Sequence, residues 1–140
     1  MSDSEGRILS VDPGTVRTGL AVTDELGITA QGLETFTAGK GRDLVEHIAS
    51  LVEEYGIIKV VLGMPLSMSG GEIEGTERSK QLAARIEEEC GIEVVLRDER
   101  MTSLEVERVM RQEGRIREAG DIDRLSAVVL LQSFLEETGS

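Results

Sequence analysis

Aromatic residues, cysteine and histidine are scarce in this chain of 140 residues. It contains no tryptophan, two phenylalanines, one tyrosine, one cysteine and one histidine. The single cysteine, Cys90, excludes an internal disulfide, and we expect it to fill a small buried space at the end of a helix. We expect His47, on the polar side of a predicted helix, to face solvent. So few aromatic rings leave little capacity for stacking on unpaired bases.

Long apolar runs and an excess of positive charge are also absent. The longest apolar runs, such as residues 127–131, are too short to cross a bilayer, so we expect no membrane-spanning segment. The N-terminus is polar and acidic and lacks an apolar signal region, which favours a cytoplasmic location. The net charge of −12 argues against a large phosphate-binding surface, because sequence-independent affinity for nucleic acid comes from lysine and arginine.

One basic segment interrupts this acidic chain. Residues 108–117 carry four arginines and a single glutamate, namely Arg108, Arg111, Arg115, Arg117 and Glu113. The segment is either a solvated helix face followed by a loop, or a local contact for phosphate groups. The sequence leaves both interpretations open.

Hydrophobic patterns predict the order βββαβαβαα. Strands are expected in residues 7–12, 16–22, 28–36, 57–62 and 93–97, and helices in residues 43–55, 76–90, from 102 onward, and 121–137. The first three strands have short links and predict an antiparallel meander. The β-branched run of residues 57–62 is typical of a central strand that is covered on both faces. The sequence therefore predicts one α/β domain, residues 7–137, with a mixed five-stranded sheet flanked by helices.

Acidic residues fall where these elements begin or end. Asp12 ends the first strand, Asp98 and Glu99 end the fifth, and Asp123 opens the last helix. Several carboxylates at one edge of a sheet repel one another unless a cation lies among them, and all-oxygen ligation suits Mg²⁺ or Mn²⁺. The alternative for Asp12 is an ordinary turn aspartate before Pro13.

Four ordered motifs in the chain resemble the YqgF/RuvX family of bacterial RNase H-like nucleases. They are VDPGTVRTGLAVTDELGITA, VVLGMPLSMSG, VVLRDERMTSLEVERVM and DIDRLSAVVLLQSFL, and the similarity covers residues 7–137. Members of the family are described as Holliday junction resolvases and as pre-16S rRNA nucleases. The resemblance implies an RNase H-like fold and a metal-dependent nuclease.

The resemblance also implies a set of catalytic residues. Asp12 corresponds to the metal ligand on the first strand, and Asp123 to the acid of the last helix. Asp98 and Glu99 match the motif after the fifth strand. The resemblance implies that one acid of that motif completes the site. Related resolvases have an acid at the end of the fourth strand, where this chain has Gly63, and this departure leaves open which of Asp98 and Glu99 is the third ligand. Our metal set is Asp12, Glu99 and Asp123, with Asp98 as the alternative to Glu99, since the strand register is not fixed by sequence.

Further residues are implied to contact the substrate and its phosphates. They are Gly14, Thr15, Arg17, Arg100, Arg115 and Arg117, together with the small-residue loop of residues 67–75. The expected partner is nucleic acid, and the expected role is 5′-end maturation of pre-16S rRNA by a monomer or homodimer.

Three other functions compete with this one. Cleavage of a Holliday junction requires two active sites related by a two-fold axis, and therefore a dimer. A non-catalytic RNA- or ribosome-binding factor has no reason to gather carboxylates near phosphate. The segment from Asp12 to Thr15 also resembles the phosphate loop of actin-like kinases, but those enzymes use two such domains and this chain has the length of one.

Overall fold

A mixed β-sheet organises the chain in our computed structural model, which describes residues 6–14, 17–37, 43–65, 69, 71–98 and 119–137. In the last of these ranges, side chains are described from Arg124 onward. The strands are β1 (Arg7–Asp12), β2 (Arg17–Thr23), β3 (Ala30–Gly32), β4 (Phe36–Thr37), β5 (Ile57–Met64) and β6 (Glu93–Asp98). The helices are α1 (Leu44–Tyr55), α2 (Glu74–Cys90) and α3 (Ala119–Glu137).

The strand order confirms the predicted α/β class. The sheet runs β3-β2-β1-β5-β6, and β4 pairs with β2. β1 is antiparallel to β2 but parallel to β5, and β5 is parallel to β6. The meander at the start of the chain is therefore followed by parallel strands joined through helices, as the pattern of residues predicted.

The edge of the sheet beyond β2 differs from the single strand expected in residues 28–36. β3 places Gly32 opposite Ala21, and β4 places Phe36 opposite Thr18. Gly32 and Phe36 are four residues apart in the chain, whereas their partners on β2, Ala21 and Thr18, are three residues apart. The one extra residue is characteristic of a β-bulge. The bulge divides the expected strand into β3 and β4, and the sheet has six strands.

Helices cover both faces of the sheet because successive residues of each strand point to opposite sides. Leu9 and Val11 of β1 belong to a core cluster with Val45 of α1 and Ile86 of α2. On the other face Ile8 packs in the clusters that α3 forms with β1, β2 and β5. The two faces of β1 therefore contact different helices.

The starts of α1 and α2 differ in how they are capped. Asp43 caps α1, since its carboxylate accepts a hydrogen bond from the Val45 amide at 2.8 Å. The helix expected to begin at Thr76 begins instead at Glu74, after Ile73, so that Thr76 is its third residue. Its hydroxyl accepts from the Ile73 amide at 2.9 Å and donates to the Pro65 carbonyl. The expectation was wrong because the bond to Pro65 places Thr76 inside the first turn.

The prediction for His47 was also wrong. Its ring stacks on Phe36 with 5.0 Å between centroids, and its Nε2 atom is buried without a hydrogen-bond partner among the described residues. Helical spacing alone put His47 on the polar side of α1, whereas the bulged edge of the sheet brings Phe36 over it. Cys90 packs at the margin of the core as expected, and burial raises the pKa of its thiol.

Two further expectations concern membrane-spanning helices and the part of the chain that follows β6. No helix within the described ranges is both long and apolar enough to cross a membrane. The helix expected from residue 102 and the basic segment of residues 108–117 lie outside the described residues.

Candidate active site

Asp12 is the last residue of β1 and is half-buried. It pairs with Gly19 of β2. On its other side, Val11 pairs with Leu62 of β5, so the next position along β5 is Gly63. Residues 8, 10 and 12 share one face of the strand, which is the face covered by α3. Gly63 therefore presents no side chain of its own beside Asp12 on that face.

A buried hydrogen bond fixes α3 over β1 at this point. The Ser10 hydroxyl donates to the Ala127 carbonyl at 2.7 Å, and Ser10 is fully buried. Position 123 lies one helical turn before Ala127, on the same stripe of α3. Asp12 lies two residues beyond Ser10, on the same face of β1. The backbone therefore brings positions 12 and 123 to the same end of the α3–β1 contact.

Two arginines attach α3 to opposite edges of the sheet. Near the start of the helix, Arg124 donates from Nε to the Leu33 carbonyl at 3.1 Å. Near its end, the guanidinium of Arg97 on β6 makes two bonds to the Glu137 carboxylate, at 2.8 and 3.2 Å. Arg97 lowers the pKa of Glu137 through these bonds. The helix thus crosses the sheet diagonally between fixed ends.

The register of β6 places Asp98 relative to Asp12. Asp98 pairs with Met64 of β5. Val94 and Leu96 pack in the core that α1 and α2 cover, while Val95 packs with α3. Asp98 is therefore in phase with Val94 and Leu96 and belongs to the face opposite that of Asp12. Its neighbour Glu99 lies outside the described residues.

Few of the predicted substrate contacts fall within the described residues. Gly14 is exposed in the turn after Asp12, and a Cβ atom there would lie 2.4 Å from the Arg17 carbonyl oxygen. Only glycine fits that close approach. Arg17 opens β2 and pairs with Thr37 of β4. Thr15, Arg100, Arg115 and Arg117 lie outside the described residues.

The metal set can be tested only in part. Among the side chains that the structure describes, no three from histidine, cysteine, aspartate and glutamate come close enough to hold a metal ion. Of the predicted ligands, only Asp12 has a described side chain. Asp12 supplies a carboxylate at a strand end, and carboxylate oxygens are the ligands that hard cations prefer.

Sequence reasoning missed a cleft on the opposite face of the same sheet edge. The cleft has a volume of about 270 Å³ and is bounded by Pro13 and Gly14 on one side and by Leu82 and Arg78 of α2 on the other. The helical spacing of residues 76–90 places Arg78 on the polar face of the helix and by itself predicts only an outward-pointing side chain. Nothing in the sequence shows that the start of α2 faces the turn after Asp12, because that depends on the packing of α2 against β5.

The strand order, with an acid at the end of the first strand and a helix crossing over it, defines an RNase H-like nuclease fold. The family model described as "RuvX: Holliday junction resolvase" matches residues 6–137. The chain therefore belongs to the RuvX family. Family and fold together make it a nuclease, a hydrolase of ester bonds in nucleic acid. Nucleases with the RuvC-like fold generally use divalent metal ions.

Similar proteins agree with this assignment. A "Putative pre-16S rRNA nuclease" of Koribacter versatilis is 46% identical over 136 residues, which cover 96% of this chain and 89% of that protein. RuvC of Thermus thermophilus, solved with a Holliday junction, has a TM-score of 0.57 at 15% identity and covers 96% of both chains. The Fowlpox virus resolvase, also solved with a junction, has a TM-score of 0.58 at 14% identity and covers 96% of this chain and 99% of its own.

Proposed function

We propose that residues 7–137 act as a single metal-dependent nuclease domain that trims the 5′ end of pre-16S rRNA. The bond from the Ser10 hydroxyl to the Ala127 carbonyl carries the proposal. It sets the start of α3 above the end of β1, which supports a site to which both Asp12 and Asp123 would contribute. A cytoplasmic location follows from such a substrate.

Asp12, Asp123 and one acid of the Asp98-Glu99 pair would hold Mg²⁺ or Mn²⁺. Bound there, such ions would supply activation of water and stabilisation of the leaving oxygen of a phosphodiester. Asp12 at the strand end would be a shared ligand of the set. Gly14 would let the phosphate backbone approach the turn, and Arg17 would bind a phosphate group near it.

The face of each acid favours Glu99 as the third ligand. Asp98 is in phase with Val94 and Leu96, on the side of α1 and α2, whereas Asp12 and the contact with α3 are on the other side. A strand that continued in the same register would turn the next residue toward α3. We therefore retain Asp12, Glu99 and Asp123 as the metal set.

The relative from Koribacter versatilis supports ribosomal RNA as the substrate. The description of the family, together with the junction-bound structures of similar fold, supports a second candidate, a four-way DNA junction. The two substrates make different demands on quaternary structure. A junction presents two symmetric strands and needs a dimer, whereas a single RNA end needs one active site.

The test compares cleavage of two substrates by matched variants. One substrate is an RNA that spans the 5′ end of 16S rRNA in its precursor, and the other is a four-way DNA junction, each with Mg²⁺ or Mn²⁺. We expect wild type to cleave the RNA and Asp12→Asn to lose cleavage while keeping its circular dichroism spectrum and melting temperature. Glu99→Gln should lose cleavage, and Asp98→Asn, its neighbour of the same charge, should keep most of it.

Each outcome separates one element of the proposal. Full activity of Asp12→Asn contradicts the site. Loss with Asp98→Asn but not with Glu99→Gln reverses the choice of third ligand. Preference for the junction, together with a dimer in sedimentation, establishes the resolvase. Tight RNA binding without cleavage of either substrate establishes a binding factor.

A further inference from the structure

The cleft between the turn after β1 and the start of α2 lies within two residues of Asp12. Pro13 and Gly14 form one wall, and Arg78 and Leu82 of α2 form the wall opposite. Pro65, which follows β5, and Leu44, the first residue of α1, complete the apolar part of the lining. The cleft therefore gathers the ends of two parallel strands and the starts of two helices, which is where ligands bind in open α/β sheets.

Two buried hydroxyl groups hold the walls of the cleft in place. Thr76 donates to the Pro65 carbonyl, and Ser79 donates to the Gly63 carbonyl at 3.2 Å. Both bonds join the first turns of α2 to the end of β5, and both hydroxyl-bearing residues are buried. The α2 wall of the cleft is consequently fixed to the end of β5.

Among the described residues of the lining, Arg78 is the one with a basic side chain, and it is exposed. It forms no ion pair or hydrogen bond with any described residue, although glutamates are frequent in α2. By contrast, Lys80 of the same helix pairs with Glu72, and Arg85 pairs with Asp43. Arg78 thus presents its charge to the mouth of the cleft, beside the start of α2, where the helix dipole also favours an anion.

We propose that this cleft binds one nucleotide of the substrate strand next to the scissile phosphate, with Arg78 on its phosphate group. The proposal rests on the nuclease function proposed above. A volume of about 270 Å³ lies just below the range of about 300–1,000 Å³ typical of pockets for whole small ligands, so one unit of a longer chain fits and a duplex does not. The apolar walls cover the sugar and base, and the guanidinium pairs with the phosphate.

The position of the cleft gives the substrate a path. Asp12, the member of the predicted metal set whose side chain is described, is on the α3 face of the sheet, and the cleft is on the face of α1 and α2. A strand that occupies both must pass over the turn at Pro13 and Gly14. We infer that an unpaired end, rather than a continuous duplex, makes this passage, because a single strand bends more sharply than a helix.

The test measures binding of a single-stranded RNA from the 5′ end of pre-16S rRNA, in EDTA so that no cleavage occurs. Arg78→Ala should weaken binding about two- to fivefold, as expected for one exposed ion pair. It should also reduce the slope of log K against log salt by about 0.7, the value for one phosphate contact on a single strand. Lys80→Ala, the matched control, removes the same charge from the same helix outside the cleft and should leave the slope unchanged.

A set of RNAs with one uncharged methylphosphonate at successive positions locates the contact. At one position, the methylphosphonate should weaken binding to wild type relative to the unmodified RNA. The same methylphosphonate should not weaken binding to Arg78→Ala, since the modified phosphate and the arginine belong to the same interaction. Equal slopes for Arg78→Ala and Lys80→Ala overturn the proposal, as does the lack of any position where the two changes are coupled. If wild type cleaves the RNA, the proposed nuclease function stands whatever the binding experiments show. If binding depends on Arg78 but wild type does not cleave the RNA, the nuclease function is refuted and the cleft is supported as a binding site.

Discussion

Removal of the Ser10 hydroxyl tests whether the contact between β1 and α3 sets the geometry of the active site. In Ser10→Ala the bond to the Ala127 carbonyl is lost. That carbonyl lies inside α3 and still accepts a helical hydrogen bond, so no buried group loses its only partner. The cost should therefore be that of one hydrogen bond, about 1 kcal/mol, and not the larger penalty of an unsatisfied polar group. For a chain of this length, the melting temperature should fall by about 2–5 °C.

The loss of activity should exceed the loss of stability. Denaturant unfolding gives the free energy of unfolding, and cleavage is measured at a temperature where both proteins are folded. Because a displacement of about 1 Å in a catalytic group can cost about a hundredfold in rate, we expect a large decrease in cleavage by Ser10→Ala. Ser133→Ala is the control, since the Ser133 hydroxyl donates to the Leu130 carbonyl within α3 and does not cross to the sheet. A destabilised Ser10→Ala enzyme with full activity would refute the reasoning.

Two other expectations concern the attachment of α3. Leu131 is fully buried against Ala21. Leu131→Ala should therefore lower the free energy of unfolding, measured by denaturant titration, by about 3 kcal/mol. A loss below about 1 kcal/mol would contradict the packing of α3. Arg97 lowers the pKa of Glu137 in the folded protein. Their contact therefore stabilises the fold at any pH above the pKa that Glu137 has in the unfolded chain. This stabilisation is lost as the pH falls from the unfolded pKa to the lower pKa of the folded state. Glu137→Gln should therefore flatten the decline in melting temperature near pH 4, and an unchanged profile would show that the contact is absent in solution.

Features of the fold that depend on neighbouring residues in the chain were predictable from sequence. The short apolar strands β1 and β2, and the helical spacing of apolar residues in α1, are local signals, and each was confirmed. The bulge between β3 and β4 was not predictable, because it exists only relative to the residues of β2. The stacking of His47 on Phe36 likewise depends on a partner that comes from another element.

The candidate site divides in the same way. The motifs indicated which acids to consider, and Asp12 was placed correctly at the end of its strand. The face to which Asp98 belongs could not be read from sequence, because it depends on the pairing of Asp98 with Met64. Arg78 was passed over for a related reason, since a charged residue on an amphipathic helix looks the same whether it faces open solvent or the mouth of a cleft.

The edges of the sheet bear on how two copies of the chain could associate. At one edge β3 has three residues, and Arg124 lies against it so closely that a Cβ atom on Gly32 would be 2.6 Å from the arginine side chain. At the other edge β6 carries charged residues at Glu93, Arg97 and Asp98. Short and charged edge strands are poor templates for strand addition. The described edges therefore disfavour a dimer in which two sheets join into one, and a dimer able to engage both halves of a four-way junction would use other surfaces.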